Sequence, residues 1–210
     1  AALELLAKHA GEISTGDEEC AKEAANLVGY LPVALKVIGS RARESGWTDI
    51  RDRLTTENKR YEVVTQVKTD DDVDDFFEEA DALEPEQYDG DNAKYVELAF
   101  AASIDPAWIG EKARGWYLML AAFPVDMEIR METLTYLWED VKNVEKVCQE
   151  FETLSLLEIR GDDKDSIWLH NLQHVFVRQK EREEGLLAAK ASAVITAVLV
   201  HCAGAEGSSP

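Results

Sequence analysis

A chain of 210 residues, 46% hydrophobic and 30% charged, is long enough to bury one or two cores and too apolar to stay disordered. Its 42 acidic against 22 basic residues leave a net charge of −20, a field that repels nucleic acid and anionic membranes. Cys20, Cys148 and Cys202 are odd in number, widely spaced and in no C-x-x-C pair, which reads as free thiols in a reducing, cytoplasmic setting.

The chain opens as "AALELLAKHAG", already inside a helical pattern and without a signal peptide, so it reads as a fragment of something larger. Leu3, Leu5, Leu6 and Ala10 predict a helix that stops near Gly11. In "STGDEECAKEAANLVG", Thr15 and Glu18 have capping-box spacing, and Gly29 is the expected stop. "LPVALKVIGSRARESG" restarts at once, with Pro32 suited to a first helical turn and Val33, Leu35, Val37 and Ile38 facing a core. "WTDIRDRL" adds a fourth helix, with Thr48 as its cap. These elements predict a small helical bundle.

Residues 70–91, "DDDVDDFFEEADALEPEQYDGD", read as a solvated acidic linker around one short helix at Phe76, Phe77 and Ala80. A calcium loop is excluded, because Asp75 stands where such a loop needs Gly and Asp81 where it needs Glu. A second unit follows. "NAKYVELAFAAS" and "DPAWIGEKARGWYLMLAAF" each contain a helix, "PVDMEIR" reads as a turn, and "METLTYLW" and "NVEKVCQEFETLSLL" as two more helices. "LLEIR–GDDKD–SIWLH" has the signature of a β-hairpin. Helices followed by a hairpin describe a winged helix with "GDDKD" as the wing. Helix resumes in "NLQHVFVRQKEREE" and in residues 186–203, the latter expected to be buried rather than membrane-spanning. The fold class is therefore mainly α: a helical bundle, a winged-helix domain with one short hairpin, then the start of a further helical segment.

Many winged helices read DNA with the helix that corresponds here to residues 143–157. Its apolar stripe is Val144, Val147, Cys148, Phe151 and Leu154, which leaves Glu145, Lys146, Gln149, Glu150 and Glu152 outward, three acids against one base. Asp162, Asp163 and Asp165 of the wing also carry the wrong sign for phosphates, so no nucleic-acid partner is expected. No phosphate-binding loop, H-E-x-x-H or G-x-S-x-G motif occurs, so no catalytic residue is expected. His170 and His174 have chelating spacing, but His170 falls at a strand end and no third ligand is near, so no metal is expected. His174 reads as a partly exposed helix residue.

Two motifs carry a resemblance. "GYLPVALKVIGS" (29–40) resembles the G-L-P-L-A-L motif of the NB-ARC family, the STAND signalling ATPases that include plant disease-resistance proteins and apoptotic factors. "LHN" (169–171) stands where that family has Met-His-Asp, and "LAAFPVDMEIRMETLTYLW" is similar to the opening of its winged-helix domain. "EFETLSLLEIRGDDKDSIWLHNLQHVFV" is similar to the apoptotic branch. The resemblance covers about residues 1–182. It implies a helical ARC1 domain over 1–90, a winged-helix ARC2 domain over 91–182, and the start of another helical segment over 183–210.

It also implies a role. The nucleotide, ADP or ATP, would be bound mainly by an upstream domain of the same chain, which lies outside these residues. Pro32 would pack on the adenine, His170 would donate to the ADP β-phosphate, and Ser155 would approach the nucleotide. The fragment would be the regulatory part of a switch in defence or cell death, oligomerising on activation and hydrolysing nothing itself. Asn171 replaces the family's Asp, keeping capping ability but losing a charge. From its own residues, Asn171 is the expected cap of the helix after His170. The rival reading is a nucleotide-independent acidic adaptor that binds another protein.

Overall fold

The computed structural model describes residues 2–67, 90–190 and 193–199. The chain divides into two compact units, one ending at Trp108 and the other beginning at Ile109. Among the described residues it is mainly α-helical, with one small antiparallel sheet.

The first unit contains α1 (Ala2–Ala10), α2 (Glu18–Leu27), α3 (Pro32–Ser45), α4 (Trp47–Val67) and α5 (Gly90–Ser103). Its core combines Leu6, Leu35, Ile38, Trp47, Ile50, Leu54 and Leu98 with the alanines 21, 24, 25, 34, 99 and 102. Small residues let helices approach closely. At Gly39 a Cβ would lie 3.1 Å from His9 Cβ and 3.2 Å from the Leu6 carbonyl, so a side chain there would push α1 and α3 apart by a few tenths of an ångström.

Two local expectations at these helix starts are corrected. The Thr15–Glu18 capping box does not form: Asp17 is the N-cap of α2 without a side-chain cap bond, and its N–H donates to Ser14 Oγ at 3.2 Å. Thr48 does not cap α4, because Gly46, ending α3 at φ 85°, accepts the Ile50 N–H with its carbonyl and lets the helix start at Trp47.

Helix α5, placed by the sequence at the head of the second domain, packs on α3 and α4. Buried Arg41 of α3 donates to the Ser103 carbonyl at its end and to Glu44 at 3.2 Å. Arg53 of α4 pairs with Asp105 at 2.6 Å and lies over the Trp108 ring, 4.0 Å from its centroid. These contacts carry the unit to Trp108, beyond the 90/91 boundary. The expected acidic linker and its short helix lie outside the described residues, apart from the first residues of α5.

A short turn, α6 (Pro106–Ile109), closes the first unit and leads into the second, which opens with α7 (Glu111–Leu118) and a 3₁₀ turn at Met119–Ala122. Strand β1 (Ile129–Arg130), α8 (Met131–Leu137), α9 (Val144–Thr153), β2 (Glu158–Arg160), β3 (Ser166–Trp168), α10 (Asn171–Glu184) and α11 (Leu186–Ala189) follow. The sheet order is β1-β3-β2, all antiparallel, the order of a winged helix. "PVDMEIR" therefore ends in a strand rather than a simple turn: Ile129 and Arg130 pair with Ile167 and Ser166.

An aromatic cluster forms this unit's core. The Tyr117 and Trp138 rings meet Phe151 edge-on, with centroids 5.5 and 6.1 Å away, and the Tyr117 hydroxyl donates to the Leu156 carbonyl at 3.0 Å. Buried Cys148 is a free thiol, pushed up to about 12 by burial and then by Glu145 and Glu152. The described part of residues 186–203 is not one buried helix: α11 ends at Ala189, Leu186 and Leu187 are half-buried, and in helical residues 193–199 Ile195 and Leu199 are 59% and 64% exposed. Among the described residues no helix is long and apolar enough to cross a membrane.

Candidate functional site

Residues 28–32 make a tight corner. The Tyr30 N–H donates to the Ala25 carbonyl and the Gly29 N–H to the Asn26 carbonyl, both at 3.0 Å, which is a Schellman ending to α2. Gly29 has φ 59°, and a Cβ there would overlap the Tyr95 ring, so glycine is required twice over. Tyr30 follows at φ 58° and is 52% exposed. Leu31 is extended and serves as N-cap, placing Pro32 in the first turn of α3, where its missing N–H costs nothing. Pro32 is exposed.

Ser155 and His170 both belong to the second unit, and a buried glutamine joins them. Helix α9 also ends in a Schellman motif, with the Leu156 N–H donating to the Phe151 carbonyl at 2.9 Å and the Ser155 N–H to the Glu152 carbonyl at 2.8 Å. That forces buried Ser155 to φ 57°, a conformation glycine adopts more easily. Gln173 Nε2 donates to the Ser155 carbonyl at 2.8 Å, and Gln173 Oε1 accepts the His170 N–H at 2.9 Å. One amide therefore ties the end of α9 to the start of α10.

His170, not Asn171, is the N-cap of α10, which corrects the expectation. Its extended backbone (φ −60°, ψ 142°) turns the ring back over the helix end, and Nδ1 accepts the Leu172 N–H at 3.2 Å. A neutral imidazole can accept at Nδ1 only if its hydrogen sits on Nε2. The cap thus selects one tautomer and makes Nε2 a donor beside a helix N-terminus, where backbone N–H groups favour anions. The ring is half-buried and meets Trp168 edge to face. Nothing in the sequence singles out Trp168 beyond its two-residue spacing from His170; Gln173 stands at the N3 capping-box position and could have been read from it.

Asn171 is the first residue inside the helix. Its Nδ2 donates to Asp126 Oδ2 at 3.3 Å, while its Oδ1 is buried without a hydrogen-bond partner among the described residues. An aspartate here would set one carboxylate against another and bury a charged oxygen. The repulsion is about 1 kcal/mol in a water-like medium, with a further penalty of about 1 kcal/mol for the unpaired oxygen. The helix end returns about 0.3–1 kcal/mol. Asn171→Asp is therefore expected to destabilise the second unit by about 1–2 kcal/mol at pH 7. Urea unfolding of the wild type and the variant at pH 7 measures it.

His174 is 2% exposed, so it is a core residue rather than a partly exposed one. Among the described residues no group of three or more His, Cys, Asp or Glu could hold a metal ion. A scan of protein-family models and a search of curated proteins found no match to the chain.

Proposed function

We propose that the chain is the regulatory ARC1–ARC2 part of an NB-ARC nucleotide switch, in which Pro32 and His170 contact an ADP held mainly by an upstream domain of the same polypeptide. The observation that supports it most is the His170 cap. An imidazole locked with Nδ1 accepting the Leu172 N–H offers Nε2 as a hydrogen-bond donor at a helix N-terminus, the chemistry a terminal phosphate requires. Exposed Pro32, fixed by the corner before it, is a flat apolar surface suited to a base.

Magnitudes divide the work. A hydrogen bond to a charged group contributes about 1.5–3 kcal/mol. Inverting a two-state switch from 1:99 to 99:1 takes about 5.5 kcal/mol. His170 therefore makes the closed state sensitive to ADP, and packing of the domains supplies the rest. In this reading nucleotide exchange releases the winged-helix unit and permits oligomeric signalling, and the chain itself hydrolyses nothing.

His170→Ser tests the reading, because serine still caps the helix but has no imidazole. In the full-length protein it is expected to speed ADP release roughly 10–100-fold with helix α10 intact. Release at the wild-type rate, measured by chasing a fluorescent ADP analogue, contradicts the reading.

A further inference from the structure

The capping bond from the Leu172 N–H to Nδ1 is one restraint on the His170 ring. A second contact restrains it. Trp168 and His170 are two residues apart along extended chain, the spacing that puts both side chains on one face. Their ring centroids are 5.9 Å apart with planes at 74°. Across the hairpin Glu158 is the register partner of Trp168. Arg160, two residues further on, lays its guanidinium over the indole, 3.9 Å from the ring centroid, and pairs with Glu158 at 3.1 Å. The indole is thus held by a cation from β2 while it meets the imidazole.

We propose that Trp168 is the positioning residue of His170, with Arg160 as the clamp that holds the indole in place. This rests on the ADP reading only in its second half, since the ring geometry exists without nucleotide. A tryptophan that merely stabilised the hairpin would leave the order of the imidazole ring untouched when replaced; a positioning residue would not. The arrangement ties the wing to the phosphate contact, so a partner that displaced Arg160 would loosen His170 without touching it.

The experiment has two readouts. In the 210-residue chain, relaxation of the His170 ring Cε1–H reports how firmly the imidazole is held. Wild type and Trp168→Phe are expected to show an ordered ring, and Trp168→Ala a more mobile one. In the full-length protein, Trp168→Ala is expected to speed ADP release roughly 2–10-fold, the worth of one edge-to-face ring pair, with Trp168→Phe restoring it. If Trp168→Ala does not fold, the surface change Arg160→Gln takes its place, expected to move both readouts in the same direction by about twofold. Unchanged ring order, or unchanged release in a protein where His170→Ser does speed it, overturns the proposal. If the ring loosens but neither Trp168→Ala nor His170→Ser alters release, the positioning stands and the nucleotide reading fails.

Discussion

Gln173→Leu is expected to lower the stability of the second unit by about 2–4 kcal/mol, because a side chain of similar size leaves two backbone groups without partners. The His170 N–H loses Oε1 and the Ser155 carbonyl loses Nε2, and Gln173 itself is buried. Each orphaned group costs about 1–3 kcal/mol, and the half-buried setting of His170 keeps the sum below the maximum. The same change unties α9 from α10, so His170 and Ser155 lose their fixed relation. Urea unfolding measures the first effect; a drop below about 0.5 kcal/mol would mean that water replaces the amide and that the bridge is not structural.

Trp138→Ala is expected to cost more, about 3–5 kcal/mol. Trp138 is fully buried against Phe151, and its Nε1–H donates to the Trp116 carbonyl at 2.8 Å. Alanine leaves a cavity beside Phe151, whose edge contact with Tyr117 then has support on one side only. Against a total stability of roughly 5–15 kcal/mol, such a loss opens the winged helix locally. Hydrogen exchange checks it: amides of α8, α9 and α10 are expected to exchange faster while those of α1–α3 keep their protection. Uniform acceleration in both units would show that their cores are coupled.

How far the fold could be read beforehand depended on the range of the forces involved. Helices α1, α3, α9 and α10 and the β2–β3 hairpin announce themselves through apolar spacing and a charged Gly-containing turn. The stop at Gly29 and the start at Pro32 are equally local, because each follows from one residue's backbone freedom. Strand β1 is two residues long and exists through pairing with Ile167 and Ser166, far along the chain, so no local pattern marks it. The placement of α5 depends on Arg41 reaching Ser103 and Arg53 reaching Asp105, which spacing cannot foretell.

The site shows the same division. Ser155 and His170 are suggested by resemblance, but the glutamine between them is a tertiary link. The cap of α10 is set by tertiary structure as well. Asn is the better capping residue by propensity, yet the chain leaves β3 extended through His170, and Asn171 is already helical and turned toward Asp126. Backbone direction set by the sheet overrides side-chain preference. Asp126 facing that amide also explains why an uncharged residue suits position 171 here.

The most direct test is the structure of the full-length protein with ADP bound. The account predicts His170 Nε2 about 2.7–3.2 Å from a β-phosphate oxygen, with Nδ1 still accepting the Leu172 N–H, and the Pro32 ring flat against the adenine. An ADP whose phosphates are met only by the upstream domain, with His170 and Pro32 on surfaces that do not face the nucleotide, contradicts it.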